Sequence, residues 1–307
     1  MLNSEDSKKY RDVIEEVYPG FFKRVLDYDK NIQNTHNLLG SKFINSLKNN
    51  SSYEYKIDEE KAYSYASTFL KKVNANTAIQ FARLIKNKEI QMIDINNKVG
   101  GSAKYNEATR KSKITINKTG NLIDASVILH EFMHLKTNEF SGISLKEKAE
   151  NRKYQEELSI FIELCFIKFL STSKSHIHDA KLILDYRLRT ALLYSPGQMQ
   201  SILTALYYAD QNRPEEAFIN RFGQFFNKLE FQIKHCLPMD IEEYYLGTMS
   251  AINNLDNAET KLSQIFELLD QKDFVKVKKL LPISYDAKRD CHNIQELYKI
   301  FEKIVER

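Results

Sequence analysis

Tryptophan is absent from the 307 residues, and glycine and proline are scarce, at 9 and 5. Sparse turn formers among abundant Leu, Ile, Lys and Glu argue for a mostly helical chain. Cysteine is scarce as well. Cys165, Cys236 and Cys291 are odd in number, far apart and without CxxC spacing, which excludes a disulfide framework and a thiolate zinc site. Cys165 lies in the apolar run 161–170 and reads as a small buried hydrophobe. No apolar run approaches the roughly 20 residues that a bilayer span requires. No charge sign dominates: 45 basic residues face 41 acidic ones, for a net +4 without a basic stripe or tail. That pattern does not suggest a nucleic-acid binder. The opening Met1-Leu2-Asn3-Ser4-Glu5-Asp6 lacks the basic and apolar parts of a secretory signal. The expected location is the cytoplasm, or outside the cell by export without a cleaved signal peptide.

Residues 1–86 read as a helical segment packed on the rest. Tyr10 to Val17 and Phe21 to Tyr28 are amphipathic, separated by Pro19-Gly20, and Ile32 to Leu47 is interrupted at Gly40. Lys56 to Ile85 has helical spacing with a break near Asn74-Ala75-Asn76. His36 belongs to this scaffold. Near residue 90 the pattern changes. Ile90 to Ile95 and Lys113 to Asn117 alternate and are β-branched, which predicts two short strands joined by a flexible turn over Val99 to Tyr105. After the turn Lys118 to Asn121, Asp124 is an expected N-cap for a helix running through His134. The strand before that helix is expected to edge a cleft, where an extended chain can be held by strand addition. A second helix is expected over 146–169, buried in its second half, and helices then continue to the end. His176 and His178 read as surface loop residues and His292 as part of a charged linker.

The stretch Leu129-His130-Glu131-Phe132-Met133-His134-Leu135 carries the chemistry. His-Glu-x-x-His on a helix projects its imidazoles about 40° apart, nearly on one face. Two imidazole nitrogens can then bind one zinc ion, and Glu131 can reach a water on it. Such an ion would acidify the water and polarise a scissile carbonyl. Glu131 would take the proton as general base and return it to the leaving amine. A third ligand is required. No His-x-x-Gly-x-x-His extension follows, so the candidates are Glu150, Glu156, Glu157 and Glu163 on the second helix. Glu163 follows Glu156 by two turns on the same face, and a carboxylate inside an apolar helix demands a metal or ionic partner. A Tyr or His must stabilise the oxyanion, and with 17 tyrosines composition cannot choose one.

These residues resemble the thimet oligopeptidase and oligoendopeptidase F family. The approach from Asn117 through Gly120 and Asp124 into His130-Glu131 is similar to that family's lead into its zinc helix. Gly100 to Tyr105 is similar to its Gly-Ala-Tyr turn, and Glu156, Ser159 and Glu163 reproduce its Glu, Ser and Glu spacing. The resemblance implies Glu156 as third ligand of one Zn2+ ion. His235 and the run Tyr244 to Ala251 resemble the family's helix of transition-state donors, implying oxyanion roles for His235, Tyr244 and Tyr245. Residues 293–302 look like its closing helix.

The departures are Met133 in place of the usual Gly, Thr137 where a further His is common, and a missing Gly-Gly-Tyr segment before the tyrosines. The chain is also about half the family's length, so the helical roof of the family's channel shrinks to residues 1–86. The expected fold is mainly α: a zincin-like helical metallopeptidase with a small β-sheet at the active-site edge, residues 87–307 forming the catalytic domain. The expected function is zinc-dependent hydrolysis of peptides or of a specific protein, the more open cleft admitting longer substrates. Two other readings are a toxin-like effector protease acting on one host protein and a non-catalytic peptide-binding module.

Overall fold

A computed structural model describes residues 21–48, 56–95, 99–106, 111–138, 145–194 and 240–305. The first described element is helix α1 (Phe21–Leu39), which joins the expected stretch Phe21 to Tyr28 with the part of Ile32 to Leu47 before Gly40; Tyr10 to Val17 lies outside the described residues. Gly40, at φ 81, breaks it before the short α2 (Ser41–Ser46). Helices α3 (Glu59–Val73) and α4 (Ala75–Lys86) are separated by Asn74 alone. The Asn74 side chain accepts a hydrogen bond from Thr77 N at 3.0 Å, so one residue ends the first helix and caps the second.

A three-stranded sheet follows: β1 (Ile90–Ile93), β2 (Gly101–Asn106) and β3 (Lys111–Asn117), in the order β1-β3-β2. β1 runs parallel to β3 and β2 antiparallel to it. Two sequence expectations are corrected. Gly101 to Tyr105 is strand, not flexible turn. The strand that precedes the His-Glu-x-x-His helix, β3, is central rather than at an edge. Ile90, Ile114 and Ile116 turn to the inner face and are buried.

Helix α5 (Ile123–Thr137) is buried from Ile123 through Met133. Asp124, the expected cap, lies inside its first turn, two residues past the observed N-cap Leu122. Its carboxylate accepts from Thr119 N and Oγ1 and from Gly120 N at 2.6–3.1 Å, fastening the β3–α5 turn to the helix start. Helix α6 (Leu145–Ser171) crosses α5, and α7 (Ile177–Arg189) follows, extended by a π turn over Thr190–Tyr194. The last four helices are α8 (Asp240–Asn253), α9 (Ala258–Asp270), α10 (Phe274–Leu280) and α11 (Ala287–Val305). His292 therefore lies in a helix, not in a linker. None of the described helices is long and apolar enough to cross a membrane.

The core is continuous from α1 to α11. Edge-to-face pairs tie its layers: Phe81 on α4 meets Phe132 on α5 at 5.3 Å, and Phe69 on α3 meets Phe166 on α6 at 5.5 Å. Gly247 lets α8 lie close on α6. A Cβ there would stand 3.3 Å from Glu157 N and 3.1 Å from Ile160 Cδ1. His36 is part of this scaffold, its Nε2 at 2.7 Å from Leu192 O.

On α11, Asp290 is fully buried, and its carboxylate accepts from Asn253 Nδ2 and Asp286 N at 2.9 and 3.2 Å. Burial pushes this carboxyl above its usual range despite the Asn253 hydrogen bond. The folded chain thus holds the proton more tightly than the unfolded chain, and Asp290 destabilises the fold increasingly as pH rises out of the ordinary carboxylate range. Asp290→Asn is therefore expected to gain stability relative to the wild type between pH 4 and 7, measured by urea midpoints. A difference that is flat with pH would contradict this.

Candidate metal centre

Helix α5 presents His130 and His134 on one face, and α6 lays Glu156 across them. His130 Nε2 and His134 Nε2 stand 3.0 Å apart. Glu156 places Oε2 3.5 Å from the first and Oε1 3.3 Å from the second. One ligand atom from each residue falls within 4.8 Å of the others. A tetrahedral ion with bonds of about 2.0–2.1 Å separates its ligand atoms by roughly 3.3 Å. The spacing therefore fits one ion, and the donor set, two imidazole nitrogens and a carboxylate oxygen, is one that zinc accepts. Among the described residues the buried Glu156 Oε2 has its nearest polar contact in His130 Nε2 at 3.5 Å, which leaves it open to a cation.

A second carboxylate supports the first histidine from behind. Glu163, fully buried two turns after Glu156, stands with Oε1 2.5 Å from His130 Nδ1. This leaves Nε2 directed at Glu156 and His134. Glu163 also accepts from Ser126 Oγ at 2.8 Å and from Arg187 Nε and Nη2 at 2.8 and 2.5 Å. Burial favours the neutral acid, but the Arg187 guanidinium and His130 outweigh it and hold the Glu163 carboxyl below its usual range. Burial likewise opposes charge on His130. The negative charge of Glu163, with hydrogen bonds to Glu156 and Glu163, overrides burial and raises the imidazole to about 10. Glu156 is pushed upward by burial and pulled further down by His134 and His130, ending well below the usual carboxylate range.

Glu131 lies next to the two histidines around α5, projects toward Gly101 of the sheet, and is 7% exposed. Burial raises its carboxyl, and the neighbouring histidines only partly offset this. Gly101, the first residue of β2, packs directly against it. A Cβ at Gly101 would lie 2.8 Å from Glu131 Cγ, 3.0 Å from its Oε1 and 2.8 Å from Ile116 Cδ1. The strand edge comes this close to the carboxylate only because residue 101 has no side chain.

Of the four candidate glutamates, Glu156 is the one brought to both histidines. Glu163 reaches only the far nitrogen of His130, and the side chain of Glu150 is outside the described residues. Glu157 is fully buried on the α8 side of α6, its two oxygens have no hydrogen-bond partner among the described residues, and burial pushes its carboxyl well above the usual range. Tyr245 is also buried, but its hydroxyl accepts from Asn31 Nδ2 at 2.8 Å and lies 3.4 Å from Thr35 Oγ1, both on α1. It is thus not gathered with His130, His134 and Glu156. Tyr244 is half-buried on α8, close enough to Arg187 to act on its charge. His235 lies outside the described residues. His176 precedes α7 rather than sitting free in a loop, with Nε2 3.0 Å from Tyr65 Oη. Sequence reasoning missed Arg187 and Gly101. No motif marks the arginine, which shares the stretch 182–192 with Asp185 and Arg189.

No protein-family model matches the chain, and no curated protein matches its sequence significantly. Solved structures do match in fold. One, a chain assigned as an oligoendopeptidase F, superposes with a TM-score of 0.56 at 14% identity over 91% of this chain and 58% of its own length. Another, assigned as an oligoendopeptidase F from Bacillus anthracis, gives 0.53 at 16% identity over 99% of this chain and 56% of its own. The chain has an oligoendopeptidase-type fold, mostly helical with a small sheet, and spans little more than half the length of these relatives.

Two substitutions test the geometry. Gly101→Ala is expected to displace β2 or Glu131 while leaving His130, His134 and Glu156 in place: any metal content by elemental analysis stays at the wild-type level while any hydrolytic kcat falls at least about tenfold. Unchanged kcat would refute the close packing. Glu157→Leu removes a buried carboxyl with no partner and is expected to stabilise the fold by about 1–3 kcal/mol. A lower melting temperature would show that Glu157 has a stabilising partner.

Proposed function

We propose that this protein is a zinc-dependent peptidase, with His130, His134 and Glu156 holding one Zn2+ ion and Glu131 acting as general base. The observation that carries the reading is the convergence of His130 Nε2, His134 Nε2 and the Glu156 carboxylate around one point, with Glu131 on the same helix beside them. When bound, the ion would acidify a water and polarise the scissile carbonyl.

The rest is done by the chain's own groups. Glu163 holds His130 by its Nδ1 and so fixes the nitrogen offered to the metal. Arg187 and Ser126 hold Glu163 in turn. Glu131, in a setting where burial raises its carboxyl, is suited to take a proton from water and pass it to the leaving amine. Among the described residues β2 is an edge strand, and its outer edge near Gly101 suits an extended peptide laid beside Glu131. For the oxyanion, Tyr244 and His235 remain the proposed donors, since the hydroxyl of Tyr245 is committed to α1. Residues 1–86 are proposed as a helical segment packed on a catalytic unit spanning 87–307. Retention of Glu131 beside the ligands, with room cleared for it at Gly101, favours catalysis over simple peptide binding.

Glu131→Gln is expected to keep its zinc and lose at least about a thousandfold in peptide cleavage. Cleavage by the wild type is expected to stop on chelation and return with Zn2+. Full activity in Glu131→Gln, or cleavage indifferent to chelator, would overturn the mechanism.

A further inference from the structure

The sheet has two faces, and they differ sharply in chemistry. The inner face, with Ile114, Ile116 and Gly101, packs toward α5 and Glu131. Strand alternation sends the intervening residues outward. On β2 these are Ser102, Lys104 and Asn106, and on β3 they are Lys111, Lys113, Thr115 and Asn117. The antiparallel register sets Lys104 directly opposite Lys113, with Lys111 two residues along the same strand. All three lysines are exposed.

Like charges directly opposite each other in a sheet are destabilising. Natural sheets relieve such a pair with nearby acids, yet none of the ion pairs among the described residues involves these three lysines. Among the described residues the acid alongside is Glu89, which precedes β1 next to Lys113. Its carboxylate accepts from Asn87 Nδ2 at 3.2 Å instead. Among the described residues the outward face therefore carries the positive charge of Lys104, Lys111 and Lys113. It also borders β2, whose other edge pairs with no strand among the described residues.

We propose that this basic face is a substrate-selecting surface that takes acidic residues of an extended peptide or protein segment paired along β2. The proposal rests on the peptidase reading and names the class of substrate it would prefer. A peptide added to the β2 edge turns every second side chain outward, beside Lys104 and within reach of Lys113. Lys104 is three residues from Gly101, about 10 Å along the strand at about 3.3 Å per residue. The acidic residues therefore lie about three residues or more from the scissile bond, on the one side set by the direction of pairing.

The test uses peptides with a common central sequence and Glu, Ala or Lys at three successive outer positions, on either side of the scissile bond. Binding is measured by fluorescence polarisation with Glu131→Gln, and cleavage with the wild type. On one side the Glu peptide is expected to bind about tenfold more tightly than the Ala peptide at low salt, with the advantage lost at about 0.5 M salt. In cleavage the same preference falls on KM rather than kcat. Lys104→Glu combined with Lys113→Glu is expected to invert the order toward the Lys peptide while keeping zinc content. Equal binding of Glu and Ala peptides on both sides, or a preference untouched by the double reversal, would overturn the proposal. Preferential binding of Glu peptides with no cleavage of any peptide would support the surface and count against the peptidase reading alone.

Discussion

The site depends on one buried carboxylate. Glu163 is sealed between α5, α6 and α7, with His130 on one side and Arg187 on the other. A charge so far from water is costly unless every lone pair is engaged. Here Ser126, Arg187 and His130 engage them, and the arrangement is rigid because each partner is itself buried. The consequence reaches the proposed metal ligands directly. His130 cannot rotate without breaking its contact with Glu163, so its Nε2 is fixed toward Glu156 and His134. The packing of three helices is thereby converted into the orientation of one imidazole.

The same helix carries the opposite case one residue after Glu156. Glu157 is as buried as Glu163 but has no hydrogen-bond partner for either oxygen among the described residues. The two glutamates show that burial alone does not make a carboxylate a ligand or a support. What separates them is helical phase: positions 156 and 163 face α5, whereas 157 faces α8, where Gly247 brings the backbones together. Opposed environments on one helix also explain why spacing alone could not choose between Glu156 and Glu157. They differ by a single residue in chain position and by about 100° in direction.

The mainly helical fold, the break at Asn74, two of the strands and the buried second half of α6 were legible from composition and periodicity. His130, Glu131 and His134 were legible because their chemistry is local to one helix turn. Other features were not. Gly100-Gly101 reads as turn chemistry, yet Gly101 begins a strand, and its need for a bare α-carbon comes from Glu131, thirty residues away in sequence. Asp124 has the composition of a cap, but tertiary packing draws its carboxylate back to Thr119 and Gly120. Tyr244 and Tyr245 are equivalent in sequence. Only the position of α1 shows that the Tyr245 hydroxyl is used in packing. Each of these depends on contacts between distant segments, which periodicity does not encode.

The central claim is that His130, His134 and Glu156 together hold one zinc ion. X-ray absorption at the zinc edge of the purified protein tests it most directly. The account expects one zinc per chain with two imidazoles and oxygen donors at about 2.0–2.1 Å, and loss of that spectrum in His134→Ala and in Glu156→Ala. A zinc site with sulfur ligands, or a spectrum that survives both substitutions, would contradict it.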